Sequence, residues 1–516
     1  MKRRQFLQSG SLMSIPVMLG GMELSAFSNS SLFNFVNGND DRVLVLIQLN
    51  GGNDGLNMII PLDQYSGLSQ VRPNLLIPES SVLKLTDKTG IHPSMTGLNN
   101  LYKEGKMAVV HSVGYPNQNR SHFRSTDIWM TASDATTYLT SGWAGRYFDK
   151  NHPKYPTGYP NTDFPDPFAI TVSSLVSETC QGVVNNYSYA LTSKTSVRLV
   201  EETIAAPPDN SCYSTEVDFI RITIKQSNAY ASNILTSFDK GKNIATYPTG
   251  NRLGDQLKIV ANLISGGLGT KIYVVSLGGF DTHANQVQIG EPGVGNHANL
   301  LKTVSDAVAS FMSDIKSLGY EEKVVGMTFS EFGRQIKSNN SLGTDHGTAA
   351  PLIVFGSCVN QNVFGKNPEI TANITAQEGV PMQYDFRSVY ASLLVDWLGA
   401  SESDVKSLLF KDFQRIPIIK NCSLPSPVDE ADLNIQASVA PNPCNDYTYL
   451  NFNNIGKHVH VSVFNAIGSQ LDIRVNKSLD AGANEIYLDT SNYQPGSYFV
   501  RLAIDNEVRT MKFIKL

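Results

Sequence analysis

The chain is 516 residues long, has a formal net charge of −5, and carries a charge on 17% of its residues. A sparsely charged, weakly acidic chain lacks the basic surface that nucleic acid binding requires, so nucleic acid is excluded as a main partner. The length allows about two to four domains with ample apolar core.

The N-terminus is typical of an export signal. Residues 2–4 are basic, and residues 12–20 form an apolar segment that is too short to span a bilayer. The pair Arg3-Arg4 resembles the twin-arginine export signal, which predicts a signal peptide over residues 1–29 and passage of a folded chain through the inner membrane. A basic helix of a cytosolic protein is the alternative. No other segment reaches the about 18 unbroken apolar residues of a membrane-spanning helix, so no transmembrane segment is predicted.

Continuous apolar segments predict strands that are buried on both faces, as in the middle of a parallel sheet. These segments are Arg42–Leu49, Met107–Val113, Lys271–Leu277, Lys323–Phe329 and Pro351–Phe355. Apolar residues at helical spacing predict helices at 255–264 and 300–318. The alternation predicts an α/β domain over residues 42–400, with helices on both faces of a mostly parallel sheet. A segment rich in Pro, Tyr, Asn and Ser, at about residues 150–215, predicts an irregular insertion over one sheet edge.

The last part of the chain has a different character. Residues 401–436 predict a short helix and a linker, and residues 437–516 consist of short alternating strands that predict a small antiparallel β-sandwich. The motif Pro441-Asn442-Pro443, the segment VFNAIGSQL and the ending GSYFVRL…MKFIKL resemble the C-terminal sorting domain of type IX secretion cargo in Bacteroidetes. The resemblance implies recognition by export and sorting machinery, passage across the outer membrane, and then secretion or attachment at the cell surface.

A carbohydrate-binding sandwich is the alternative for this last segment. Such a module needs an exposed aromatic platform. The candidates Tyr447, Tyr449, Tyr487 and Tyr498 occupy alternating strand positions that indicate a structural role. The sorting function is therefore preferred.

Five cysteines occur in the chain, and none forms a C-x-x-C pair, which excludes a cysteine zinc site and a thioredoxin-type motif. Export permits disulfides. Cys180 with Cys212, or Cys422 with Cys444, are the candidate pairs, whereas Cys358 ends an apolar run and is predicted to be a packed thiol.

Acidic and imidazole side chains lie beside the ends of several predicted strands, where sites form in open parallel sheets. They are Asp54, Asp281, His283, Glu331, Asp345 and His346. Taken singly, each has a local alternative as a turn residue, a helix cap, an ion-pair partner or a core histidine. Taken together, crowded anions would raise one another's pKa unless a cation lies among them. The set therefore predicts a divalent metal site, with zinc as the first choice and magnesium, calcium or manganese as alternatives.

Six motifs between residues 42 and 400 carry a further resemblance: GGNDGLN, RSHF, GWAGRY, GGFDTHANQ, SEFGR and GTDHG. As a set they are similar to the bacterial domain of unknown function family 1501, which is grouped with the alkaline phosphatase and sulfatase superfamily. The resemblance implies an alkaline-phosphatase-like fold, while the reaction of the family is not established. Asp54 matches the superfamily's metal ligand after the first strand, although it comes a few residues later than usual.

The resemblance also carries over to the later strands. Asp281 and His283 match an Asp and His that bind metal, and His346 matches the last metal-binding His. Glu331 stands where the superfamily has the Asp of an Asp-His-Gly motif, but Phe332 replaces the His and cannot bind a metal. The resemblance therefore implies one metal ion held by Asp281, His283 and His346 in preference to two.

Enzymes of this superfamily place a nucleophile at the start of a helix, where backbone N–H groups receive an anionic group. Ser121 in the RSHF motif is the candidate, with His122 and Arg124 beside it as further catalytic residues. Ser125 and Thr126 are alternative nucleophiles. A helix cap in a solvated basic turn is the alternative for the whole segment.

Three polar residues near these motifs are candidates for holding the anionic group of a substrate: Arg120, Arg334 and Asn53. Arginine binds phosphate and sulfate oxygens through two parallel hydrogen bonds. Arg146 in GWAGRY is predicted to have a structural role, bound to a carboxylate.

Two functions follow from the sequence. The first is an exported, metal-dependent hydrolase of phosphate or sulfate esters, acting on a small anionic ester or on a sulfated or phosphorylated glycan. The second is a non-catalytic surface protein of the same fold that binds a glycan or a protein partner. A redox enzyme is not indicated, because the sequence has no nucleotide-binding fingerprint and no haem motif.

Overall fold

The structure is a computed structural model that describes residues 42–200, 211–420, 422, 437–454, 458–465, 470–504 and 507–516. These residues belong to two compact units, a larger one within Asp41–Cys422 and a smaller one within Ser423–Leu516. The predicted signal peptide over residues 1–29 lies outside the described residues, and so do residues 423–436 of the predicted linker.

The larger unit alternates strands and helices. Its strands are β1 (Val43–Asn50), β2 (Ile59–Pro61), β3 (Leu83–Lys84), β4 (Thr89–Ile91), β5 (Met107–Gly114), β6 (Ala169–Thr171), β7 (Ser188–Ala190), β8 (Ile272–Gly278), β9 (Val324–Phe329), β10 (Ala350–Phe355), β11 (Val363–Phe364) and β12 (Tyr384–Asp385). Its α-helices are α1 (Gly55–Met58), α2 (Tyr65–Val71), α3 (Thr96–Lys103), α4 (His122–Thr131), α5 (Trp143–Asn151), α6 (Cys212–Lys240), α7 (Arg252–Ser265), α8 (Asn296–Ser317), α9 (Phe386–Ser392) and α10 (Glu402–Leu408). A π-helical segment, Leu393–Trp397, continues α9.

Nine strands form the central sheet, in the order β11-β5-β10-β9-β1-β8-β6-β7, with β12 also paired to β5. Strand β1 runs parallel to β8 and to β9, whereas β10 runs antiparallel to both β5 and β9. The predicted α/β fold with a mostly parallel sheet is confirmed. The antiparallel direction of β10 was not predicted, because a continuous apolar run is typical of any strand that is buried on both faces.

The direction of β10 decides where the loop before it lies. An antiparallel strand begins at the edge of the sheet where its parallel neighbours end. The loop that leads into β10 therefore lies at the same edge as the loops that follow β1, β5, β8 and β9. This edge collects most of the polar residues that the sequence singled out.

The hydrophobic core lies on both faces of the sheet. Side chains alternate along β1, so that Val45 and Ile47 join one apolar cluster and Leu44 and Leu46 join the other. Helices α7 and α8 cover the first face, and α4, α5 and α9 cover the second. Helices therefore cover both faces, as the alternating pattern predicted.

Two local features of the larger unit were not predicted. The described part of the segment at about residues 150–215 includes the short parallel strands β6 and β7, which extend the sheet edge beside β8. Strands of three residues are too short to give a recognisable pattern. Arg146 donates to the backbone carbonyls of Thr131, Ser141 and Leu408, where a carboxylate partner was expected.

The disulfide differs from both candidate pairs, and the prediction that Cys358 is a packed thiol is wrong. A disulfide joins Cys358 to Cys422, and Cys180 and Cys444 are buried free thiols. The chain returns beside the end of β10 through a bridge between Val359 and Ile419, and this brings the two sulfurs together. The sequence alone could not decide the pairing, because distance along the chain does not reveal a contact made by a returning chain.

The substitution Cys422→Ser is expected to lower the free energy of unfolding of the larger unit. The disulfide closes a loop with a sequence separation of 64 residues, and removing such a bond costs about 2–4 kcal/mol. Guanidinium unfolding followed by tryptophan fluorescence measures the change. Reduction of the wild-type protein should give the same loss, and Cys180→Ala, which breaks no cross-link, serves as the control. A reduced wild-type protein as stable as the oxidised one would contradict the expectation.

The smaller unit is all β. Its strands are β13 (Ala437–Ala440), β14 (Tyr447–Asn454), β15 (His458–Asn465), β16 (Gln470–Ser478), β17 (Gly482–Asp489), β18 (Gly496–Ile504) and β19 (Glu507–Lys515). They form two antiparallel sheets, β13-β14-β17 and β16-β15-β18-β19, which share one apolar core. The predicted C-terminal all-β unit is confirmed. Among the described residues of the whole chain, no helix has the length and apolar character needed to cross a membrane.

Candidate metal centre

Four side chains converge at the edge of the sheet where β5, β8 and β9 end. Asp281 and His283 lie in the loop after β8, His346 lies in the loop that leads into β10, and His122 is the first residue of α4, which follows β5. The candidate centre is thus assembled from three separate segments of the chain. The Asp281 carboxylate lies at its middle.

The four side chains meet at one carboxylate oxygen. Oδ1 of Asp281 lies 3.1 Å from Nε2 of His283, 3.2 Å from Nε2 of His346 and 3.6 Å from Nε2 of His122. The two atoms His283 Nε2 and His346 Nε2 are 2.9 Å apart. Of these side chains, His122, Asp281 and His346 each offer a ligand atom within 4.8 Å of the others.

The other nitrogen of each imidazole is held by an acceptor. His283 Nδ1 lies 2.7 Å from Asp345 Oδ1, His122 Nδ1 lies 2.8 Å from Glu331 Oε1, and His346 Nδ1 lies 2.9 Å from the carbonyl oxygen of Arg120. An ionised carboxylate and a carbonyl oxygen can only accept, so each Nδ1 carries the proton and donates. Every neutral imidazole then turns the lone pair of Nε2 toward Asp281.

This arrangement fits a bound cation. Lone pairs on nitrogens that face one another and a carboxylate repel unless a positive charge lies between them. Ligand atoms around a tetrahedral zinc ion lie about 3.3 Å apart, because each bond is about 2.0–2.1 Å long. Nε2 of His122 is buried and has no hydrogen-bond partner, which leaves it free to act as a ligand. Histidine ligands commonly donate through the second ring nitrogen to a carboxylate or a carbonyl, as all three do.

Arg334 fixes the position of Asp281. Its guanidinium is buried and donates to Asp281 Oδ1 at 2.7 Å, to the carbonyls of Phe280 and Thr344 at 2.9 Å each, and to those of Gly51 and Gly52. Burial alone would raise the pKa of Asp281, but the hydrogen bond and the positive charge of Arg334 oppose it, and the pKa stays below its usual value. Asp281 is therefore ionised at neutral pH.

The electrostatic surroundings of His346 keep its ring neutral. Burial lowers the pKa of His346, and the nearby Asp281 carboxylate and the hydrogen bond to the Arg120 carbonyl only partly offset this. Arg334 adds a positive charge nearby, which lowers the pKa further. A neutral imidazole is the form that binds metal ions.

Phe332 forms the wall of the centre. Its ring is 1% exposed and lies 4.9 Å from the ring of His122 and 4.7 Å from the ring of His346, measured between centroids. An apolar ring at this place offers no ligand and fills the space beside both imidazoles.

Glu331 and Asp345 were predicted as metal ligands. In the structure they instead contact the Nδ1 atoms of His122 and His283. Oε1 of Glu331 accepts from the Gly51 N–H at 2.9 Å as well as from His122, and its side chain is 1% exposed. Asp345 accepts from His283 and also lies 3.3 Å from Nδ2 of Asn339. Both carboxylates therefore orient imidazoles, and Asp281 is the carboxylate that faces all three Nε2 atoms.

Asp54 and Asn53 do not join the converging side chains. The Asp54 carboxylate is buried in an ion pair with Arg72 at 3.0 Å and accepts from Gln286 at 2.6 Å. Burial alone would raise the pKa of Asp54, but Arg72 outweighs it and the pKa stays below its usual value. Oδ1 of Asn53 lies 2.9 Å from Nε2 of His297, and Asn53 is 1% exposed, so it has no surface to offer a substrate.

The start of α4 separates the candidate nucleophiles. Ser121 precedes the helix, is exposed, and makes no capping hydrogen bond with its side chain. Ser125 is fully buried, with its hydroxyl bonded to the Glu331 carbonyl and to Tyr115. Thr126 is half-buried. Ser121 is thus the most exposed hydroxyl of this group.

The arginines near the site have different surroundings. Arg124 pairs with Asp127 and donates to the carbonyls of the loop at residues 134–137, so its head group is used within the fold. Arg334 is likewise enclosed by carbonyls and Asp281. Arg120 is half-buried and contributes its carbonyl to His346. Of the three, Arg120 alone is not enclosed by backbone acceptors within the described part of the chain.

His122 was predicted as a catalytic residue and lies among the candidate ligands. The signal for this place was present in the sequence, because RSHF follows a buried strand in the same way as the DTH motif does. The resemblance of RSHF to a nucleophile motif indicated a catalytic role for His122, whereas its ring lies among the candidate ligands.

Comparison with known families places both units. Residues 264–397 match the family described as "Protein of unknown function (DUF1501)", and residues 438–516 match the "Secretion system C-terminal sorting domain". Both family resemblances are confirmed. The DUF1501 segment contains Asp281, His283, Phe332 and His346, while His122 lies outside it. The sorting domain covers β14–β19 and indicates an exported protein that is secreted or attached at the cell surface.

Solved structures with a similar fold are distant. The PsFucS1 sulfatase from Pseudoalteromonas sp. is 9% identical, with a TM-score of 0.34 over 91% of this chain and 88% of its own. A protein of the alkaline phosphatase superfamily from Vibrio parahaemolyticus is 11% identical, with a TM-score of 0.32 over 91% and 79%. The lipoteichoic acid synthase LtaP from Listeria monocytogenes is 8% identical, with a TM-score of 0.30 over 75% and 81%. These scores are too low to support an argument about activity. No protein of curated function matches the chain in sequence.

Proposed function

We propose that the protein is an exported, metal-dependent hydrolase of phosphate or sulfate esters, with one divalent ion held by Asp281, His346 and the neighbouring His122 and His283. One observation carries the proposal. Three imidazoles turn Nε2 toward the same carboxylate oxygen, and the Nδ1 of each is already engaged by an acceptor. Such a set of ligands suits zinc first, and manganese or another divalent ion second.

The roles of the chain's own residues follow from their places. A bound divalent ion supplies Lewis-acid chemistry, which polarises an ester oxygen and lowers the pKa of a nearby hydroxyl or water. Ser121 is the proposed nucleophile, because it is exposed and stands one residue before His122 at the start of α4. The N–H groups of that helix start favour the negative charge of a phosphate or sulfate group. Arg120 is the proposed clamp for the same group.

The proposed substrates are small anionic esters or sulfated or phosphorylated glycans outside the cell. Entry into the export pathway by the twin-arginine route is proposed from residues 1–29, whose basic pair resembles that signal. A folded export route suits a metal centre that is assembled from three distant segments.

Metal analysis and turnover measurements on the full chain test the proposed function. Purified protein is expected to retain close to one equivalent of a divalent metal, measured by inductively coupled plasma mass spectrometry. It is also expected to hydrolyse at least one ester in a panel of aryl phosphates, aryl sulfates and sulfated oligosaccharides. His346→Ala should lose both properties, and Glu291→Gln, an exposed acid in the loop after β8, should keep them. A protein with a full metal complement and no turnover across the panel would contradict the hydrolase and leave a non-catalytic binding protein.

Asp345→Asn is expected to weaken metal binding about 10- to 100-fold without unfolding the protein. The change removes the carboxylate that holds His283 Nδ1 at 2.7 Å, while leaving all four candidate ligand atoms in place. Titration against a fluorescent zinc chelator measures the affinity. Asp306→Asn, which changes an acid paired with Lys302 on the surface of α8, is the matched control. Unchanged affinity in Asp345→Asn would remove His283 from the proposed ligands.

A further inference from the structure

The outer face of the β13-β14-β17 sheet carries three neighbouring tyrosines, Tyr447, Tyr449 and Tyr487, here called the tyrosine platform. The register places Tyr449 directly opposite Tyr487, and Tyr447 one row further along. The ring centroids lie 5.6 to 5.9 Å apart. Tyr447 is 46% exposed and Tyr487 is 52% exposed.

The platform corrects the expectation that these tyrosines are structural. Tyr498 does pack in the core of the smaller unit, at 8% exposure. The other three alternate with buried residues such as Thr448 and Leu488, so their rings stand on the face opposite to the core. Three adjacent rings that are not needed for the core require a different explanation.

Polar and small residues border the rings. Asn451 and Glu485 are paired across β14 and β17 in the next row, and Asp489 lies opposite Tyr447. On the neighbouring strand β13, Ser438 and Ala440 pair with positions on β14 and are exposed. These short side chains leave the sides of the rings uncovered, so a flat ligand can lie across them.

The chemistry of this face selects among possible partners. Two carboxylates at the border repel an anionic polymer such as nucleic acid or a sulfated glycan. A stable protein interface takes about 20–30 residues from each side, which is more than three rings and their border provide. Tyrosine combines an apolar ring face with a polar tip, and carboxylates and amides accept hydrogen bonds from hydroxyl groups. A neutral polyhydroxylated ring satisfies all of these groups at once.

We propose that the tyrosine platform binds a neutral polysaccharide. The C–H faces of the sugar rings pack on Tyr447, Tyr449 and Tyr487, and sugar hydroxyls donate to the carboxylates and to Asn451. The contact is independent of the candidate metal centre and of the proposed hydrolysis. It adds a binding function to a unit that matches a sorting domain.

Affinity electrophoresis of the full chain tests the platform. The native gels contain arabinoxylan, mixed-linkage β-glucan or glucomannan as neutral polymers, and dextran sulfate as the anionic comparator. At least one neutral polymer is expected to retard the protein, and dextran sulfate is not. In the double variant Tyr447→Ala/Tyr487→Ala, the retardation should correspond to at least about tenfold weaker binding, because two stacking faces are lost.

Two further variants make the result specific. Tyr487→Phe keeps the ring and should keep most of the retardation. Ile473→Ala changes a side chain of similar exposure, 49%, on the other sheet of the same unit, and should bind as the wild type. Far-ultraviolet circular dichroism confirms folding of each protein. The proposal is overturned by a wild type that no neutral polymer retards, by retardation that persists in the double variant, or by equal loss in Ile473→Ala.

Discussion

Asp281→Asn is expected to weaken metal binding by more than about 100-fold, which exceeds the loss from changing an outer carboxylate. Oδ1 of Asp281 is the atom that all three candidate histidines approach, at 3.1 to 3.6 Å. Asparagine keeps the shape of the side chain but removes the negative charge that faces the ion. Its amide oxygen can still accept from Arg334, so the loops around it keep their arrangement.

The order of the effects tests the assignment of Asp281. In chelator competition, the metal affinity of Asp281→Asn should be lower than that of Asp345→Asn, and the metal affinity of Asp345→Asn lower than that of the wild type. Thermal unfolding in the presence of EDTA should give similar midpoints for all three, because metal-free proteins differ only by exposed or half-exposed carboxylates. Wild-type affinity in Asp281→Asn would show that this carboxylate does not bind the ion. A loss of affinity accompanied by unfolding would contradict the expectation that the loops keep their arrangement.

The sequence predicted those site residues whose position is set by the end of a strand. Asp281, His283 and His346 were predicted because strand ends place residues at a common edge, and the structure brings all three together. That edge includes the His346 loop only because β10 runs antiparallel. The sequence indicated the outcome without indicating the strand direction that causes it.

Other predictions depended on partners that no local pattern specifies. Asp54 was predicted as a metal ligand. Arg72, the residue that follows α2, instead forms a buried ion pair with its carboxylate. Glu331 and His122 were assigned separate roles, although they bond to each other across 209 residues of sequence. Long-range pairs of this kind depend on the packing of α2 and α4 against the sheet edge. Periodicity and motif spacing contain no information about that packing.

Arg334→Met is expected to destabilise the larger unit by about 3–5 kcal/mol, because several buried carbonyl acceptors lose their donor at about 1–3 kcal/mol each. The guanidinium donates to Asp281 and to carbonyls in three loops, after β1, after β8 and before β10. Methionine fills a similar volume but leaves these acceptors without donors, and each buried orphan acceptor adds to the loss. Urea unfolding followed by tryptophan fluorescence measures the change.

Arg415→Met is the matched control for Arg334→Met. Arg415 also pairs with two carboxylates, Asp396 and Glu402, but its side chain is 38% exposed. An exposed ion pair contributes about 0–1 kcal/mol, so the same chemical change should have little effect there. Equal losses of unfolding free energy in the two variants would mean that Arg334 contributes no more to stability than an exposed ion pair does. A much larger loss in Arg334→Met would mean that the three loops depend on one guanidinium, because its planar fork can serve several carbonyls at once. Asp281 would then owe its position, and the metal centre its geometry, to a residue that the sequence had assigned to the substrate.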